Sequence, residues 1–171
     1  MTRVIQVIVG PTTSIAAGGL LLRVLGIGDA EAVVEATRDC ADAVWVPDPP
    51  PYTVEQARSF LADYERRRQA GDAVSFGVFR PYDEWFLAGL VVQEAARGDI
   101  ELAYWVRPEA RRRRIATRSL DALSVWVEGQ LAPRRVWVEV EPANEASLRT
   151  AAGAGYRRHG MRGGKVVLVR E

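Results

Sequence analysis

This sequence is almost devoid of cysteine, histidine and lysine. Cys40, His159 and Lys165 are the only ones of their kind in 171 residues. A single cysteine cannot form a disulfide within the chain. One Cys and one His also cannot assemble a Cys/His zinc site, and they argue against a Cys–His nucleophile. Cys40 reads as a small apolar helix residue and His159 as a surface residue, so neither is assigned a role. There is no internal repeat and no low-complexity linker. No apolar run approaches the ~18 residues of a membrane span. Near the start, Val4 to Val9 is interrupted by Gln6 and falls short of the ~7–15 residues of a secretory apolar region. Residues 1–19 therefore read as an N-terminal extension or short strand, and 20–171 as a single domain. A cytoplasmic location with no membrane partner is expected.

Net charge is also scarce, at +1. That argues against a nucleic-acid-coating protein. The balance nevertheless conceals an asymmetry. Asp29 to Glu55 holds seven acids and one arginine, whereas Arg107 to Arg170 holds fourteen bases and six acids. Apart from Lys165, all 23 basic residues are arginine.

The apolar pattern divides the chain into elements. Leu20 to Leu25 is a short strand, and Asp29 is placed to cap a helix carrying Val33 and Ala36 on one face. Thr53 and Gln56 form a capping box. The helix that follows turns Ala57, Phe60, Leu61 and Tyr64 inward and its Glu65–Arg68 end to solvent, then stops at Gly71. Ala73–Arg80 and Trp85–Gln93 read as antiparallel strands, and Ile100–Val106 as a third. A helix carries Ala116, Leu120, Leu123 and Val127, and Val136–Glu141 is the next strand. Asn144 caps a last helix that ends at Gly155. Tyr156–Met161 and Lys165–Val169 close the chain as a hairpin. The order implies one α+β or α/β domain, a mixed sheet with helices on its faces.

The chemistry concentrates between Ile100 and Tyr156. A strand ends at Val106, a tight loop holds Arg111, Arg112, Arg113 and Arg114, and a helix opens at Ile115, Ala116 and Thr117. Backbone amides and the positive end of a helix converge there on an anion site. Five arginines and Glu109 give Arg107–Arg114 a local charge of +4.

These residues resemble the GCN5-related N-acetyltransferase (GNAT) superfamily, in its RimJ/RimL-like branch. Arg111, Arg114 and Ala116 fall on the loop pattern Arg/Gln-x-x-Gly-x-Gly/Ala. Glu101-Leu102-Ala103-Tyr104-Trp105-Val106 matches the strand pattern Glu-Ile-Gly-Tyr-Trp-Val, and Asn144 to Ser147 matches Asn-x-x-Ser. Tyr156, Trp45 and the stretch from Pro51 to Glu55 also resemble the branch. The resemblance implies a sheet of about six to seven strands with helices on both faces, splayed between the fourth and fifth core strands. It implies that acetyl-CoA binds in the splay along the backbone of Trp105 and Val106, with its pyrophosphate on the amides of Arg111 to Thr117 and Asn144 on its arm. It further implies direct acetyl transfer to a primary amine, either a protein or peptide N-terminus or a small amine. Ser147 would be the proton donor and Glu101, through water, the general base, with Glu94, Glu139 and Glu141 as rivals for that role, and no metal is needed. Trp45 and Tyr52 would line the acceptor site, and a homodimer is allowed.

Two glycines of the family loop are replaced here by Arg112 and Arg114. An arginine at the helix start is expected to hold a helical φ. The family's frequent tyrosine acid is Ala151. These departures keep open a non-catalytic CoA-binding sensor.

Overall fold

The computed structural model describes residues 9–38, 53–95 and 98–170. Eight strands form one sheet in the order β1-β2-β3-β4-β5-β6-β8-β7. They are β1 (Ser14–Ala16), β2 (Leu21–Val24), β3 (Ala73–Arg80), β4 (Trp85–Glu94), β5 (Ile100–Val106), β6 (Val136–Val140), β7 (Tyr156–Arg162) and β8 (Lys165–Arg170). The four helices among the described residues are α1 (Ala30–Thr37), α2 (Val54–Ala70), α3 (Ile115–Leu131) and α4 (Glu145–Gly153).

The sheet is one or two strands larger than expected. Ser14–Ala16, inside the stretch read as an extension, pairs antiparallel with β2, and Val9 is buried. Strands alternate side chains between faces, so one sheet supports two cores. On one face Phe76, Leu90, Leu102 and Val138 pack against Leu120, Leu123 and Val127 of α3. On the other, Phe79, Phe86 and Trp105 pack against Val33 of α1 and Ala57, Phe60 and Leu61 of α2.

The helix ends follow local chemistry, with two corrections. In α2 the capping box is complete: Gln56 N–H donates to Thr53 Oγ1 at 3.2 Å, and Thr53 N–H donates to Gln56 Oε1 at 2.7 Å. Gly71 ends α2 in the left-handed region that glycine adopts without strain. Asp29, however, does not cap α1. Its carboxylate turns back to accept from Gly26 N–H at 2.8 Å and from Arg23 at 2.8 and 3.0 Å. Nor is the end of α2 wholly solvated. Arg68 is largely buried and donates to the Val9 carbonyl at 2.8 Å, and Arg67 reaches Gln93 at 3.0 Å.

Every neighbouring strand pair is antiparallel except β5 and β6. That parallel ladder has only two pairs, Ile100↔Val136 and Glu101↔Trp137. Beyond them the strands separate, and the gap positions the site.

Candidate active site

Backbone hydrogen bonds fix which groups face the gap. Arg107 N–H donates to the Leu87 carbonyl on β4, and Ile100 N–H donates to the Arg135 carbonyl on the β6 side. Since strand residues alternate sides, odd-numbered β5 residues bond towards β4 and even-numbered ones face β6. The amide and carbonyl of Trp105 are therefore committed towards Gly89 of β4. Its indole is buried on the α1/α2 face, edge-on to Phe86. The expectation that Trp105 offers its backbone to a ligand is corrected by this register. Tyr104 and Val106 present main-chain groups to the gap instead, and the Val106 carbonyl accepts from Arg111 Nε at 3.2 Å.

A cavity of about 210 Å³ lies in the gap. It brings together Glu101, Tyr104, Glu139, Asn144, Ser147 and Lys165, so both expected catalytic residues share one cavity. They approach it from opposite faces of the sheet. Glu101 has the parity of Trp105 and lies on the α1/α2 side. Tyr104 belongs to the α3/α4 side, where its hydroxyl meets Ser147 Oγ at 2.8 Å.

Ser147 is held by its helix. Asn144 caps α4, its Oδ1 accepting from Ser147 N–H at 3.0 Å. The Asn-x-x-Ser spacing is thus a capping geometry that fixes the serine in the first turn.

On the opposite side, burial pushes the Glu101 carboxyl above its ordinary value, and the Glu139 charge adds to the shift. Arg162 and Lys165 oppose it, pairing with Glu139 at 3.7 Å and Glu141 at 3.8 Å. The cavity floor is therefore acidic, with one carboxylate displaced towards neutral pH.

The arginine loop sits at the mouth of the gap. Arg111 to Arg114 are exposed, Ile115 is buried beneath them, and Ala116 and Thr117 open α3. Thr117 packs against Gly153, where a Cβ would lie 3.1 Å from its methyl, locking α3 onto α4. Arg112 (φ 61°) and Arg114 (φ 56°) both occupy the left-handed region. The expected helical φ at Arg114 is corrected: the backbone adopts the conformation suited to glycine, although the side chain is arginine.

Arg107 also departs from expectation. It does not join the exposed arginines at the loop. Its buried guanidinium reaches Glu35 of α1, Glu109 and the Phe86 carbonyl, each at 3.1 Å, and stacks 4.6 Å over Trp85. It ties the loop to α1. Trp45 and Tyr52 lie outside the described residues.

The model of the family described as "Acetyltransferase (GNAT) domain" matches residues 19–157. The chain belongs to the GNAT family. Its fold is similar to that of solved RimL and RimJ acetyltransferases. The RimL ribosomal L7/L12 alpha-N-protein acetyltransferase, solved with coenzyme A, superposes with a TM-score of 0.79 at 17% identity, over 92% of this chain and 97% of that one. Mycobacterium smegmatis RimJ, solved with CoA-disulfide, gives 0.75 at 17%, over 92% and 85%. In sequence, the Bacillus subtilis (strain 168) protein "Probable N-acetyltransferase YjcK" is 24% identical over 113 residues, which is 64% of this chain. The match spans 62% of that relative's length. GNAT acetyltransferases use acetyl-CoA as acyl donor. The GNAT chain offers that donor a parted strand pair, an arginine-rich loop and a helix N-terminus, so its residues suit the ligand. Among the described residues no group of His, Cys, Asp and Glu is arranged to hold a metal, and no helix is long and apolar enough to cross a membrane.

Proposed function

We propose that this chain is a cytoplasmic, acetyl-CoA-dependent N-acetyltransferase acting on a primary amine by direct transfer. The observation that carries this reading is the opposition of Ser147 and Glu101 across one cavity, at the point where β5 and β6 part. Amine acylation requires a proton to leave nitrogen and a proton to reach the departing sulfur. Two groups on opposite faces of the sheet divide these tasks.

Each residue then has a defined role. The amides of Arg111 to Thr117, with the N-terminus of α3, hold the pyrophosphate, and the exposed arginines add charge. The main chain of Tyr104 and Val106 aligns the pantetheine arm. The Val106 N–H polarises the acyl carbonyl, a contribution of ~3 kcal/mol in comparable sites. Asn144 caps α4 and borders the arm. Glu101, aided by the acidic floor, attracts the ammonium form of the acceptor and takes its proton, while Ser147 protonates sulfur. Alignment contributes as well, because both reactants are held in one cavity.

The acceptor is an amine that enters from the α1/α2 side, either a peptide α-amine or a small cationic amine. The acidic stretch from Asp29 to Glu55 favours both, and Trp45 and Tyr52 are proposed to line the entrance. Of the two departures that motivated a non-catalytic CoA-binding alternative, Arg114 leaves the loop in a glycine-like conformation, and Ala151, in place of the tyrosine acid, leaves the proton donor's role to Ser147.

The test is to incubate the protein with acetyl-CoA and a panel of a free-N-terminus peptide, an Nα-blocked lysine peptide and spermidine. Amine-dependent release of CoA thiol, with an acetylated product by mass spectrometry, is expected. Tight CoA binding with no amine-dependent thiol release contradicts the reading.

A further inference from the structure

The Tyr104 hydroxyl lies 2.8 Å from Ser147 Oγ and 3.0 Å from the Ser147 carbonyl oxygen. A phenol has one proton and cannot give it to both. Two arrangements follow. In the first, Tyr104 donates to the carbonyl and Ser147 donates to Tyr104. The serine proton then points away from the cavity, which meets only lone pairs. In the second, Tyr104 donates to Ser147 Oγ, and the serine proton is free to enter the cavity. The Ser147 carbonyl loses little in the change, because within α4 it accepts the ordinary helical bond from Ala151.

We infer that Tyr104 is a positioning residue whose hydroxyl sets the direction of the Ser147 proton and, by donating to Oγ, equips Ser147 to act as an acid. This rests on the N-acetyltransferase reading and adds a residue to it. Only the second arrangement permits acid catalysis. As Ser147 releases its proton, negative charge grows on Oγ, and a donor already aimed there stabilises it. Burial holds the phenol in its protonated, donating form, raising its pKa. Tyr104 can fill this place because the alternation of β5 turns it towards α4, while Glu101 turns the other way.

The proton count closes. The amine nitrogen forms a bond to the acyl carbon, the bond between that carbon and sulfur breaks, and its electron pair stays on sulfur. The Oγ–H bond of Ser147 breaks, and its proton goes to sulfur. Water in the cavity refills Ser147. The amine nitrogen releases a matching proton to Glu101, which passes it to solvent. Tyr104 keeps its own proton throughout.

The test combines Tyr104→Phe, Ser147→Ala and the double variant, using the most active amine of the panel. Tyr104→Phe keeps the packed ring and removes the hydroxyl. It is expected to lower kcat about tenfold, with KM for acetyl-CoA changed less than about twofold. In the Ser147→Ala background the same change is expected to alter kcat by less than about twofold. A structural role alone would cost as much in both backgrounds. A second readout needs no turnover. Spectrophotometric titration, with the Tyr104→Phe difference identifying the residue, should shift when Ser147 is replaced by alanine, because the two hydroxyls share one hydrogen bond.

Equal losses in both backgrounds, a loss confined to KM, or a Tyr104 titration indifferent to Ser147 overturns the inference. If no amine on the panel is acetylated, the parent reading fails and the catalytic role falls with it. Acetylation with additive variants overturns the role of Tyr104 alone.

Discussion

The indole of Trp105 occupies the space above Gly89 where any other residue would carry its Cβ. The two residues face each other in the β4–β5 register, Trp105 on the strand that borders the gap and Gly89 on the next one. Glycine is required here for room, because its φ is not in the left-handed region. Gly89→Ala must push the indole off Phe86 and into α1 and α2. Overpacking of this kind costs about 1–3 kcal/mol. The expected outcome is a Tm lower by several degrees, about 2–4 °C per kcal/mol at this chain length. A changed tryptophan emission should accompany it. Thermal unfolding checks this, and an unchanged Tm would show that the indole moves freely.

The two left-handed arginines give a prediction with opposite sign. A left-handed conformation costs a non-glycine residue about 1–2 kcal/mol. Glycine returns part of this through its greater freedom in the unfolded chain, about 0.5–1 kcal/mol. Arg112→Gly and Arg114→Gly should therefore each raise the ligand-free Tm slightly. Each also removes a cation from the loop proposed to hold the phosphates, so CoA affinity should fall and depend less on salt. Calorimetry at two salt concentrations, beside thermal unfolding, separates the two effects. A lower Tm in both variants would contradict the strain account.

Removing Ser147 Oγ tests the acid. Ser147→Ala should lower kcat about 10²-fold with little change in KM. Asn144→Ala acts through the same helix end: loss of the cap should cost about 1 kcal/mol of stability and loosen Ser147. Steady-state kinetics and thermal unfolding of both variants distinguish lost chemistry from a frayed helix. Full activity in Ser147→Ala removes the acid assignment.

The proposed base, Glu101, should impose a pH dependence. As a base it must be ionised, so activity should rise with pH through a carboxyl value above its ordinary 4.5. Glu101→Gln should abolish that acid limb. Glu139→Gln should move it to lower pH, because the Glu139 charge helps hold the value up. Stability has the opposite sign. With the folded value raised, Glu101 favours the folded state at pH below the unfolded value and loses that contribution as pH rises through the folded value. Glu101→Gln should therefore gain stability relative to the unmodified chain above that window. A pH–rate profile unmoved by both substitutions excludes Glu101 as the base.

How much of this could be read from the residues depends on the range of the interaction. The α2 capping box and the Asn144–Ser147 cap join residues three apart, and both were legible. So was the succession of strand, arginine loop and helix. Arg107 could not be separated from the other loop arginines, because its partners Glu35 and Phe86 arrive from distant segments. The Tyr104–Ser147 contact spans 43 positions and depends on how α4 lies against β5. Asp29 precedes a helix, as a cap does, yet the guanidinium of Arg23 claims its carboxylate. Positive φ at Arg112 and Arg114 had no residue signal, since arginine is not a left-handed former. The backbone availability of Trp105 depended on strand register, which pattern alone does not reveal.

The most direct test of the account is a crystal structure with coenzyme A bound. The account predicts the pantetheine arm in the β5–β6 gap against the main chain of Tyr104 and Val106. The pyrophosphate should lie on the amides of Arg111 to Thr117, and the sulfur within reach of Ser147 Oγ on the side away from Glu101. Coenzyme A bound elsewhere, or with its sulfur remote from Ser147, would contradict it.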